Sequence, residues 1–115
     1  MSSDDDRRDD SETQDFIDEV EQHSKAIYEM VSEYMDDLEI PEAIMSHVLL
    51  SLAINMRMVA YAIDTEKPSS AGLRLDLDRM RGEVEQILRE SKKGAEAYIK
   101  SAKAAIADAE KENEE

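Results

Sequence analysis

Residues 43–63, "AIMSHVLLSLAINMRMVAYAI", are apolar on nearly every side when wound into a helix, in a chain of 115 residues with a formal charge of -15. A helix that is apolar all round has to lie in a core or be covered by something else. A chain of this length makes one domain and hides a smaller share of its apolar surface than a large one does. The sequence therefore poses one question: what covers this helix?

Membrane lipid is one answer by length, because Ala43 to Ile63 is about long enough to span a hydrocarbon core. Three residues inside the run, His47, Asn55 and Arg57, are expensive in lipid. Both flanks are acidic and lack the Lys and Arg that anchor a cytoplasmic end. The expectation is no membrane, and cover by protein.

The local chemistry favours helices throughout. There are only three Gly and two Pro, too few turns for a sheet-rich fold, while Ala, Leu, Glu, Lys, Arg and Met are common. Residues 1–11 are mostly charged and read as a disordered acidic tail. From residue 12 to 39, Ile17, Val20, Ser24, Ile27, Val31, Tyr34 and Leu38 recur at steps of three and four, one stripe of an amphipathic helix with a coiled-coil-like period. Phe16, Met30 and Met35 widen that stripe, and Asp18, Glu19, Glu21, Glu29, Glu33 and Asp37 take the solvent side.

Pro41 is placed at the first position of a second helix, 41–64, where its missing N–H is not needed. "TEKPSSAG", residues 65–72, supplies a loop. A long third helix, 73–113, carries Leu73, Leu77, Met80, Val84 and Ile87, followed by a shallower seam of Ala95, Tyr98, Ala102, Ala105 and Ala109. Gly82 and Gly94 weaken it, so a break near "SKKG" is foreseen. "GLRLDLD", 72–78, also alternates like a strand, but one strand has no partner and would leave its backbone groups unpaired, so helix is preferred.

Met45, Leu49, Leu52, Met56, Val59 and Ile63 form a stripe of helix two that can face the other two helices. Ile44, Val48, Leu50, Ile54, Met58 and Tyr61 spill onto other sides. The expected fold is all-α: an antiparallel bundle of three helices per chain, 12–113 forming a single domain with a long C-terminal helix, completed by homodimerisation, the commonest way to bury a leftover apolar face. The interface residues expected are Ile44, Val48, Leu52, Met56 and Val59, with Leu77, Met80 and Val84 packing against them. Seven Met residues suit such a core, since a thioether fills irregular gaps.

Chemistry is sparse. His47 in "MSHVLLS" invites comparison with a phosphorelay histidine, but neither Lys nor Gly stands beside it, and a satisfied or rim-exposed role is expected. Glu19 and His23 share a helical face, yet the pattern is Glu-x-x-x-His once, where di-iron bundles repeat Glu-x-x-His on two helices. With two His, no Cys and no Trp, neither a metal site nor a nucleophile with its base is assembled. No enzyme activity, cofactor or metal is expected.

Fourteen Lys and Arg stand against 29 Asp and Glu. That balance repels phosphate backbones, so direct nucleic-acid binding is disfavoured and basic partners fit better. The acidic start "MSSDDDRRDD" lacks the apolar core of a secretory signal, and a cysteine-free chain is compatible with a reducing, cytoplasmic setting. The function expected is a non-enzymatic protein–protein interaction module, a small regulator, adaptor or chaperone that also binds itself. The alternative is an acidic mimic of nucleic acid that inhibits a basic protein.

Overall fold

A computed structural model describes residues 3–114, with side-chain surroundings for residues 11–113. The protein is all-helical, with no strand among the described residues. The described residues form four helices, where three were expected: α1 Ser3–Leu38, α2 Glu42–Asp64, α3 Ser70–Lys93 and α4 Ala95–Glu114. The side chains of the acidic tail expected over 1–11 fall, up to residue 10, outside the described residues. The backbone from Ser3 onward belongs to α1.

No Gly or Pro interrupts α1 between Ser3 and Leu38. It ends where Glu39 turns to a left-handed φ of 55° and the Ile40 N–H donates back to the Met35 carbonyl at 3.0 Å. This is the Schellman closure of a helix C-terminus, with Glu in the position that Gly usually takes. The Pro41 carbonyl then accepts from the N–H groups of Ile44 and Met45, both at 3.1 Å. Pro41 thus caps α2 from just outside, one residue earlier than its expected place at the first helical position.

The start of α3 lies inside the segment read as loop. Ser69 is extended, at φ -138° and ψ 158°, and its hydroxyl accepts from the Gly72 N–H at 3.0 Å. That is an N-cap, so the helix begins at Ser70 instead of 73. "GLRLDLD" is helical, as preferred. Gly94 divides the expected third helix: its N–H reaches the carbonyls of Glu90 and Ser91 while its own carbonyl accepts from Tyr98. The break falls at the foreseen glycine, and Gly82 is carried within α3.

The chain divides into two units, Met1–Leu52 and Ala53–Glu115, with the division inside α2. In the first unit, Met45 is the only buried residue among the described ones, at 7% exposure. Val31, Met35 and Ile40 near the α1–α2 turn are half-buried. In the second unit Arg57 and Tyr61 of α2 and Leu73, Asp76, Leu77, Met80 and Val84 of α3 are half-buried. A single buried side chain is not a bundle core.

Candidate interaction surfaces

In the first unit, α1 and the beginning of α2 enclose an open apolar groove of about 780 Å³. Phe16, Val20, Ile27, Val31 and Met35 line it from α1, and Met45 and Leu49 from α2. Val20, Ile27 and Val31 are positions of the three-and-four stripe, and Phe16 and Met35 come from its flanks, whereas Ile17, Tyr34 and Leu38 of the stripe do not line the groove. Glu19, His23, Ser24, Glu42 and Ser46 are its polar residues, beside Tyr28. The wall is uncovered: Phe16 is 67% exposed, and Val20 and Ile27 about half.

Of the expected interface residues in this unit, Ile44, Val48 and Leu52 are all exposed, at successive i, i+4 positions on one side of α2. His47 is exposed as well. The Glu19 carboxylate lies 3.8 Å from His23 Nε2 across one helical turn, with both side chains largely in solvent. No group of three or more His, Asp or Glu side chains among the described residues is arranged to hold a metal ion.

The second unit is organised by polar contacts. Arg57 donates from Nε to Asp76 Oδ2 at 2.9 Å and from Nη2 to Asp76 Oδ1 at 3.2 Å, a two-pronged pairing. Its Nη1 reaches Glu83 Oε2 at 3.0 Å. Asp76 and Glu83 stand seven residues apart, so one face of α3 offers both carboxylates. The hydrogen bond from Arg57, aided by the positive charges of Arg57 and Arg79, holds the Asp76 carboxyl below its ordinary range, against the opposing effect of burial. In return Asp76, above all by its hydrogen bond, and then Glu83 raise the Arg57 pKa further.

Next to this clamp, the Tyr61 hydroxyl accepts from the Ser69 N–H at 3.2 Å and faces the Ser69 carbonyl at 3.4 Å. It thereby ties α2 to the cap of α3. A side chain at Gly72 would occupy the position of the Tyr61 hydroxyl. Small size is therefore required at Gly72 by a close approach.

These contacts correct the expected face of helix two. Arg57 and Tyr61 turn toward α3, whereas Met56, Val59 and Ile63 of the expected inward stripe are exposed, Met56 by 69%. A helix that is apolar all round gives its neighbours no preferred side, and the polar clamp selects one. Met56 and Val59, expected at the interface, are thus available on the surface. Leu77, Met80 and Val84 are half-buried on α3. Sequence reasoning treated Arg57 only as a cost in lipid. The missed signal was a lone Arg in an apolar run, which needs a carboxylate partner, and two acids on one face of the next helix.

α2 as a whole is long and apolar enough to cross a membrane by length and composition, and Arg57 within it is bonded to two acidic side chains of α3. Comparison with protein-family models, curated proteins and solved structures finds no match to this chain.

Proposed function

We propose that this protein is a non-enzymatic helical interaction module that acts as a homo-oligomer in the cytoplasm and offers its remaining surface to a second protein as a regulator, adaptor or chaperone. One observation carries the proposal. The large apolar side chains of α1 and α2 stand in solvent while a single residue among the described ones is buried. Burying one such side chain is worth about 1.5–3 kcal/mol, so joining two copies through these faces is strongly favoured even between acidic chains. Ile44, Val48, Leu52, Met56 and Val59 are the contact residues proposed, with Leu77, Met80 and Val84 supporting them; the helical bundle is completed only on assembly.

The test is the absolute mass in solution by light scattering, at two protein and two salt concentrations. A stable particle of twice the 13.0 kDa chain is expected. Met56→Asp should return it to a single chain, because an unpaired carboxylate in an apolar interface is costly. A wild-type mass that stays at one chain under every condition overturns the proposal.

A second reading rests on α1. Residues 12–39 hold ten carboxylates against one Lys, and their described side chains lie on the surface. An inhibitor that imitates nucleic acid on a basic protein needs such a face. It predicts binding that weakens steeply with salt, whereas binding that survives high salt speaks for the apolar surfaces.

A further inference from the structure

The stripe of α2 proposed for the contact between copies contains one polar residue. Ile44, Val48, Leu52, Asn55, Val59 and Ala62 follow one another at steps of four and three, and all six are exposed. They lie on the side of α2 opposite Arg57, whose guanidinium is bonded to Asp76 and Glu83 of α3. Between Glu42 and Asp64 the helix holds no Asp, Glu or Lys, and Arg57 is its only Arg. The stripe is therefore free of formal charge along its whole length, in a chain of formal charge -15. That suits a second copy: two equally acidic chains meet here without setting carboxylate against carboxylate, whereas a strongly charged partner finds nothing to pair with. Asn55 makes no side-chain hydrogen bond among the described residues. Its amide carries both a donor and an acceptor, so it can pair with its own twin.

We infer that two copies pair antiparallel through α2 about a two-fold axis beside Asn55, and that a reciprocal Asn55 amide pair, each Nδ2 donating to the other Oδ1, fixes their register. The inference rests on the homo-oligomer proposed above and deepens it by naming the residue that positions the two chains. Asn55 stands two residues, about 3 Å along the axis, from Ala53 at the midpoint of Glu42–Asp64. An axis there keeps nearly the whole of both stripes in contact, with Val48 of each copy beside Ala62 of the other. Any other register buries two amides without partners, and that cost selects the paired one. A lone Asn in an apolar seam sets register in coiled coils in the same way. Direction follows from charge. A parallel pair would bring both α1–α2 joints, each with Asp36, Asp37, Glu39 and Glu42, to one end, whereas the antiparallel pair holds the two Glu42 positions about 40 Å apart.

The chain has no cysteine, so introduced thiols can read the register. Val48→Cys and Ala62→Cys chains carrying different tags are mixed, equilibrated and mildly oxidised, after light scattering has given the mass of each and of the wild type. A two-chain mass and a disulfide joining one chain of each tag are expected. Val48→Cys alone should link to itself at least about tenfold more slowly, because its two thiols stand about 21 Å apart, beyond the reach of a disulfide. With Asn55→Leu added to both chains, the two-chain mass should persist while the yield of the mixed disulfide falls severalfold as registers mix. Asn55→Gln, which keeps the amide, should restore most of that yield. An unchanged yield with Asn55→Leu overturns the positioning role. Fast linking of Val48→Cys to itself shows a parallel pair, and two-chain particles that form neither disulfide show a different contact; both overturn the inference and leave the homo-oligomer reading standing. Particles of one chain under every condition overturn both.

Discussion

The two units solve the same problem by different means. In Met1–Leu52 no side-chain hydrogen bond joins α1 to α2 among the described residues, and the apolar groove between them is open. In Ala53–Glu115 the helices are pinned by Arg57 with Asp76 and Glu83 and by Tyr61 with Ser69. Directional bonds fix a geometry with little buried area, while apolar contact is non-directional and grows with area. The second unit thus holds its helices together by directional bonds, and the first leaves an apolar groove open.

The contrast breaks most severely at Met45. Met45→Ala removes the one buried side chain described, and should lower stability by about 2–3 kcal/mol, toward the small end for core truncations because the site is open. Urea unfolding measures the loss, and hydrogen exchange should place it in the first unit. Gly72→Ala tests the second unit in the same way. The new methyl displaces the Tyr61 hydroxyl from the Ser69 cap, with an expected cost of about 1–2 kcal/mol, and faster exchange at the start of α3.

Acid separates the units next. Because the Asp76 carboxyl is held below its unfolded value of about 4, its pairing stabilises the fold fully above that pH and the contribution is lost as pH falls through the lower folded value. Arg57 stays charged throughout. Urea midpoints should therefore fall below about pH 4 in the wild type, and less so in Asp76→Asn, which starts lower at neutral pH. The smallest effect is a gain. Gly82 sits within α3 with open space around it, so Gly82→Ala should stabilise the helix by about 1 kcal/mol, read as a higher midpoint with unchanged assembly mass.

Much of this was legible from the residues. Few Gly and Pro and long three-and-four runs predict helices, and the middle of the stripe, Val20 to Val31, lines one wall of the groove. Gly94 was a visible point of weakness. What escaped had no signature in residue type. A Glu at a left-handed C-terminus looks like any other surface Glu, and Ser69 was hidden among neighbouring Ser, Pro and Gly that equally suit a loop. The orientation of α2 was unreadable for a deeper reason: its apolar residues point everywhere, and the deciding bonds come from α3, seven residues apart and remote in sequence.

The connection between α1 and α2 is three residues long, and each is restrained on its own account. Glu39 is held by the helix closure, Ile40 by the proline that follows it, and Pro41 by its ring. A groove hung on such a joint has no loop to order on binding. Its association should be governed by encounter and orientation and carry little conformational entropy loss on the receiving side, so differences in residence time among binders will report the quality of the contact itself.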